Sequence, residues 1–170
     1  DETQSFVQKS YLTEQLRKDS LTGVFSRRYL FEVYGGASRQ HRFSLFLLDV
    51  DNFKEINDSF GHDAGDLLLL EIASALARFC GSKGEVVRLG GDEFVVLIQM
   101  QDGGSIASLS LDLYAQSAIS FQYSKNSIDT TFSFGSTVLG SDEQVSHALK
   151  RADDALMQAK KSGKHTYVVV

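Results

Sequence analysis

The chain contains no proline and only one cysteine, and its formal net charge of −5 gives it no excess of positive charge. It also has no apolar run approaching the roughly 18 residues of a membrane span. Each absence removes a class of explanation. Without proline, isomerisation of X-Pro bonds cannot be a slow folding step, although this says nothing about function. A lone Cys80 excludes an internal disulfide; within the helical pattern "IASALARFC" it reads as a buried apolar thiol, and a reducing, cytoplasmic setting is expected. The acidic opening "DETQSF" is unlike a secretory signal, so a soluble unit is expected, without placing the parent protein relative to a membrane. The acidic balance argues against broad nucleic-acid binding, which needs a basic stripe, but leaves room for a nucleotide held by a few Lys and Arg. What is present is 170 residues, 42% of them hydrophobic, enough for one domain with a sizeable core.

Hydrophobic spacing gives an order of elements. Val7, Tyr11, Leu12 and Leu16 recur at near-helical intervals and predict a short amphipathic helix ending near Asp19. Ser26 caps a second helix, "RRYLFEVY", stopped by Gly35 and Gly36. "RFSLFLLDV" is a nearly continuous apolar run of strand length, suited to a central strand covered on both faces. Then come a turn and a short helix in "DNFKEINDSFG", a long helix in "DAGDLLLLEIASALARF", and a hairpin in "GEVVRLGGDEFVVLIQM". A helix in "SIASLSLDLYAQSA", a β-rich stretch turning near Lys125 to Ser127, a helix in "EQVSHALKRADDALMQAKKSG" and a final strand "HTYVVV" complete the chain. Helices interleaved with strands, plus one antiparallel hairpin, predict an α/β fold with a mixed central sheet flanked by helices. Residues 1–18 are the only segment that reads as detachable.

Two strand-like runs interrupted by Gly90-Gly91-Asp92-Glu93 raise a chemical question. The glycines suit a two-residue turn with positive φ, but the adjacent carboxylates lose Coulomb energy unless a cation or proton compensates them. Asp49 ends the central apolar strand, and Asp51 falls on the same side if that strand continues; α/β sheets place ligands at such strand ends. Should the hairpin tip lie beside it, Asp49, Asp92 and Glu93 would form an oxygen-rich cluster suited to Mg²⁺. Each piece alone has a plainer reading, Asp49 as a helix N-cap and the Gly-Gly-Asp-Glu stretch as an ordinary hairpin.

The next segment is rich in groups that address a nucleotide. Backbone N–H groups at Asn52 and Phe53 can cradle phosphate, and Lys54 can add a point charge. Asn57 offers an amide edge to a purine, and the Asp66 carboxylate can take both the N1–H and N2–H₂ donors of guanine, a pair adenine lacks. The plainer reading has Asn57 and Asp58 ending a helix, and Asp66 favouring the dipole of the next one. His62 reads as a turn histidine. Lys160, Lys161 and Lys164 either reach phosphate or complement a helix C-terminus.

Together "DSLTGVFSRR" (Asp19 to Arg28), "DVDNFKEINDSFGHDAGD" (Asp49 to Asp66), "RLGGDEF" (Arg88 to Phe94) and "RADDALMQAKKSGK" (Arg151 to Lys164) resemble the GGDEF family, the diguanylate cyclases that join two GTP into cyclic di-GMP. The resemblance covers nearly the whole chain. It implies a fold similar to the polymerase palm and the class III nucleotidyl cyclases, over residues 19–170, preceded in 1–18 by the end of a signalling stalk. It further implies Mg²⁺ or Mn²⁺ held by Asp49, Asp92 and the Val50 carbonyl. Glu93 would assist a second ion or take a proton, and Arg88 would stabilise charge developing on phosphate. By the same likeness Asn57 and Asp66 bind guanine, and Phe53, Lys54, Lys160 and Lys164 bind phosphate. The substrate would be GTP, the active form a homodimer, and the parent protein would carry an N-terminal sensory domain. A catalytically silent GTP- or cyclic-di-GMP-binding module is the rival reading, and a domain that only dimerises is a further one. The chain departs from the family at "GSKG", where Gly81 and Gly84 replace the Arg and Asp of a common product-inhibition site, at Ser26 for the usual Asn, and at Lys164-His165 for Arg-Asn. Lys164 keeps its charge but loses a bidentate fork.

Overall fold

A computed structural model describes all residues from Asp1 to Val170. The elements are α1 (Glu2–Leu16), β1 (Phe25–Ser26), α2 (Arg27–Tyr34), β2 (Phe43–Val50), α3 (Phe53–Phe60), α4 (His62–Cys80), β3 (Gly84–Gly90), β4 (Glu93–Gln99), α5 (Ile106–Tyr114), β5 (Ala118–Tyr123), β6 (Asn126–Leu139), α6 (Val145–Lys161) and β7 (Tyr167–Val169). No helix is long and apolar enough to cross a membrane.

The strands form one mixed sheet in the order β1-β3-β4-β2-β6-β5, with β7 also pairing with β6. β2 is antiparallel to both β4 and β6, whereas β1–β3 and β6–β7 are parallel. The apolar run expected to be a central strand is therefore central. Because side chains alternate across a strand, β2 sends Phe46, Leu48 and Val50 into a core beneath α4 and α5, and Leu45 and Leu47 into a second core beneath α2 and α6. Four wholly buried phenylalanines, Phe46, Phe94, Phe132 and Phe134, each contribute about 1.5–3 kcal/mol to this two-sided burial. Cys80 is buried as expected, and burial pushes its thiol up to about 12, which leaves it unreactive.

Two details differ from expectation. β1 spans only Phe25 and Ser26, too short to show any periodicity, yet it extends the sheet beside Val87 and Arg88. The hairpin turn consists of Gly91 and Asp92, since Gly90 pairs with Glu93 across a register shift after Arg88. Gly91 takes the positive φ of 52° that this turn demands, and the shift places Asp92 at the tip.

Candidate active site

The end of β2 and the tip of the β3–β4 hairpin meet because Asp49 and Glu93 are register partners. Asp92 lies in the adjoining turn; burial, then the Asp49 charge, push its carboxyl up to about 6. Glu93 is also raised, by burial first and then by Asp49 and Asp153 of α6. The crowding of carboxylates foreseen from the sequence is thus realised, and its cost is visible in both groups.

The compensating charge in the free protein is Lys160. Its Nζ donates to Asp49 Oδ1 at 2.8 Å, to the Val50 carbonyl at 3.2 Å and to Asp51 Oδ1 at 2.8 Å. Burial opposes the ammonium charge, but these hydrogen bonds hold Lys160 above its ordinary value. The strand ends at Val50, so the condition for Asp51 to continue it on the side of Asp49 is not met; Asp51 turns inward and is buried. It accepts from Thr131 Oγ1 at 2.6 Å, Ser133 Oγ at 2.9 Å and the His165 amide at 3.0 Å. Burial raises its proton affinity, and those bonds together with Lys160 more than reverse the effect. Asp51 is therefore an anchor that ties β2, β6 and the turn after α6 together. Nothing in the polar and apolar mix of β6 marked Thr131 and Ser133 as its partners in advance.

The turn at Asn52 follows directly. Asn52 adopts a left-handed conformation, φ 57° and ψ 34°, and starts α3 without a side-chain cap, leaving first-turn amides open. Lys164 Nζ donates to Asn52 Oδ1 at 2.6 Å, and Lys54 is exposed on the first turn of α3. Three lysines thus surround one short turn, as the sequence suggested.

On the other flank of α3, Asn57 does not use its side chain to cap the helix; the Gly61 amide bonds its backbone carbonyl. Asn57 Oδ1 is buried with no hydrogen-bond partner. It rests against Gly65, where a Cβ would lie 1.9 Å from that oxygen, with Asp66 exposed beside it on α4. An unsatisfied buried acceptor next to an open carboxylate is the signature of a place for a donor-bearing ligand.

Arg88, expected to stabilise charge developing on phosphate, holds the hairpin in the free protein. Its Nε and Nη2 donate to the Gly91 carbonyl at 3.0 and 2.8 Å, and Nη1 donates to Asp19 at 3.2 Å. Burial works against the Asp19 charge, but Thr22 and Arg88 hold its carboxyl below the ordinary range. Since this depressed value exists only in the fold, the stability it brings is present above the unfolded value near 3.9 and disappears as pH falls through the native one. Asp19→Asn is expected to cost about 1 kcal/mol at neutral pH, with the difference shrinking as pH falls below the ordinary carboxylate range; an equal loss at neutral and strongly acidic pH, measured by denaturant unfolding, would contradict the assignment.

A cavity of about 520 Å³ lies between α3 and the β5–β6 hairpin, but of the residues described above it includes only Asn52 and Thr131. No three His, Cys, Asp or Glu side chains converge to cage a metal by themselves. The donors present, two carboxylates and a carbonyl, nevertheless suit Mg²⁺, which is commonly held by one or two carboxylates plus substrate phosphates.

The family profile described as diguanylate cyclase, GGDEF domain, matches residues 16–166. The chain is 34% identical over 155 residues to the bifunctional diguanylate cyclase/cyclic di-GMP phosphodiesterase MucR of Pseudomonas aeruginosa, covering 88% of this chain and 23% of that protein. It is 32% identical over 166 residues to the diguanylate cyclase DgcS of Shewanella oneidensis, covering 95% and 55%. The chain thus spans about a quarter to about half of these relatives. It superposes on the diguanylate cyclase SiaD of Pseudomonas aeruginosa, crystallised with its activator SiaC, with a TM-score of 0.78 at 32% identity, over 100% of this chain and 68% of that one. The coiled coil and GGDEF domain of DgcB from Caulobacter crescentus, in complex with c-di-GMP, shares the fold with a TM-score of 0.78 at 22% identity, over 98% and 96%.

Proposed function

The chain belongs to the diguanylate cyclase GGDEF domain family, and from that premise we propose that it condenses two GTP into cyclic di-GMP and two pyrophosphates, acting in the cytoplasm as a homodimer. The observation that carries this reading is one continuous stretch of chain, from the end of β2 through α3 into the start of α4, set beside the hairpin tip. It joins the carboxylate cluster at Asp49 and Asp92, the lysine-ringed turn at Asn52, and the unsatisfied Asn57 oxygen beside Asp66.

Guanine would be read by Asn57 and Asp66, and its phosphates would lie over Phe53 and Lys54 toward Lys160 and Lys164. Asp49, Asp92 and the Val50 carbonyl would hold a divalent cation, with Glu93 beside a second; when bound, it neutralises phosphate charge and supplies Lewis acidity. Glu93, already raised by burial and by Asp49, takes the proton from a 3′-hydroxyl. That oxygen bonds to the α-phosphorus of the facing GTP while the bond from phosphorus to pyrophosphate breaks. The same exchange in the opposite sense closes the ring. Arg88, which holds the hairpin through the Gly91 carbonyl, would stabilise charge developing on phosphate.

One domain offers one nucleotide site, so two must face each other. Phe6, Val7, Tyr11, Leu12 and Leu16 are all more than half exposed, and α1 buries no residue. Such a helix suits pairing with a second copy below an N-terminal sensor in the parent protein. Feedback through the family's Arg-x-x-Asp site is missing: at Gly84 a Cβ would stand 2.6 Å from the Leu97 carbonyl, so an Asp does not fit without a shift of the strand.

Incubation with GTP and Mg²⁺ is expected to yield cyclic di-GMP on chromatography, with a rate steeper than linear in protein concentration. GTP binding without product at any concentration would overturn the enzymatic reading. Gly65→Ala supplies the selectivity arm. Alanine favours the helix and the clash falls on a side-chain tip, so melting temperature holds or rises. Asn57 is displaced, and GTP affinity falls about tenfold with ATP affinity little changed. An equal effect on both nucleotides would remove Asn57 from base recognition.

A further inference from the structure

A second cavity, of about 300 Å³, opens at the far end of β2 from Asp49, between the sheet and the start of α5. Its lining includes Ser44, Lys83, Ile98, Gly104, Ser105 and Ser108, and no carboxylate. Ser44 is the decisive residue. It is wholly buried, lies on the same face of the sheet as its register partner Ile98, and lines the cavity, yet its Oγ makes no hydrogen bond. Other buried hydroxyls of this layer are satisfied: Ser110 Oγ bonds Ser136 Oγ at 2.9 Å and the Ile106 carbonyl at 2.7 Å. A buried hydroxyl left unpaired costs free energy, and here it faces open volume.

The remaining groups around that volume share one electrostatic character. Ser105 caps α5 by accepting from the Ser108 amide at 3.4 Å, which leaves its hydroxyl proton free to donate. Ser108 lies on the first turn of the nine-residue helix, at the positive end of its dipole. Lys83, exposed in the turn before β3, takes part in none of the ion pairs of the protein. Three hydroxyl donors, an unpaired ammonium and a helix N-terminus facing one cavity match a multiply accepting anion.

We propose that this cavity is a second binding site, separate from the nucleotide site, for a small anion bearing a single phosphoryl group. Its size admits phosphate or a short phosphate ester and excludes a dinucleotide. The test is titration of the full chain with inorganic phosphate and with glycerol phosphate, followed by amide NMR, beside sodium chloride at matched ionic strength. Saturable shifts of the Ser105 and Ser108 amides are expected. Tighter binding of the ester would identify an ester ligand, and tighter binding of the bare ion phosphate itself. Lys83→Ala and Ser44→Ala should each weaken this binding about tenfold, while Ser44→Ala leaves the melting temperature of the free protein unchanged or higher, because no bond is lost. Shifts reproduced by chloride, amides that stay unmoved, or unchanged affinity in both variants would overturn the proposal.

Discussion

Gly135→Ala is expected to lower stability by about 3 kcal/mol or more and the melting temperature by about 10 °C. β6 passes directly under α6 at this residue, paired with Leu47 of β2 on one side and Val168 of β7 on the other. An added Cβ would stand 2.1 Å from the Ala152 carbonyl oxygen, 2.6 Å from the Leu156 amide nitrogen and 2.8 Å from the Ala155 Cβ. Two of these are helix backbone atoms, so no rotamer change relieves the contact and α6 as a whole must lift. Alanine gains only about 0.5–1 kcal/mol over glycine from reduced chain entropy, so the clash decides the sign. Lifting α6 also loosens Ala148, Ala152 and Leu156 from the core and draws Lys160 away from Asp49 and Asp51, coupling the loss of stability to the site. Denaturant unfolding checks the result, and an unchanged or raised midpoint would show that the helix yields freely.

The same interface shows what the sequence could and could not convey. The continuous apolar run of β2, the caps at Ser26 and Gly35 and the periodicity of α4 and α6 are local signals, and each of these elements stands where its pattern placed it. Proximity is not local. That Asp49 and Glu93 are register partners follows from the β2–β4 pairing, which no spacing within either strand specifies. The reversal of Asp51 likewise depends on Thr131 and Ser133, some 80 residues away. The close passage at Gly135 was equally hidden, because a glycine inside a strand reads only as a weak point until the helix above it is known. Lys160 was legible as a phosphate-binding residue by resemblance, but its bonds to Asp49, the Val50 carbonyl and Asp51 were not. In the free protein that lysine balances Asp49 and Asp51, while the hairpin acids Asp92 and Glu93 make no ion pair and keep raised carboxyls.

That balance leads to the second large effect. Asp92→Asn is expected to reduce cyclic di-GMP formation about 10³-fold while leaving the protein as stable as before, or slightly more so. The substitution keeps the shape of the side chain and removes one negative charge. In the free protein that charge is unfavourable, since burial and Asp49 together hold the carboxyl near 6. At pH 7 the native state therefore bears a cost of ionising Asp92 that the unfolded chain does not, and the amide removes it. With the divalent ion and GTP present the sign reverses, because the lost carboxylate is one of two expected to hold the ion, and Asp49 alone, still bonded to Lys160, is a poor substitute. A residue that weakens the free fold and serves only the loaded one is the mark of a functional site. Product chromatography and thermal melting on the same preparation distinguish the cases. Turnover within about tenfold of the unsubstituted protein would take Asp92 out of the reaction, and a large fall in melting temperature would make it a structural residue whose carboxylate the fold requires.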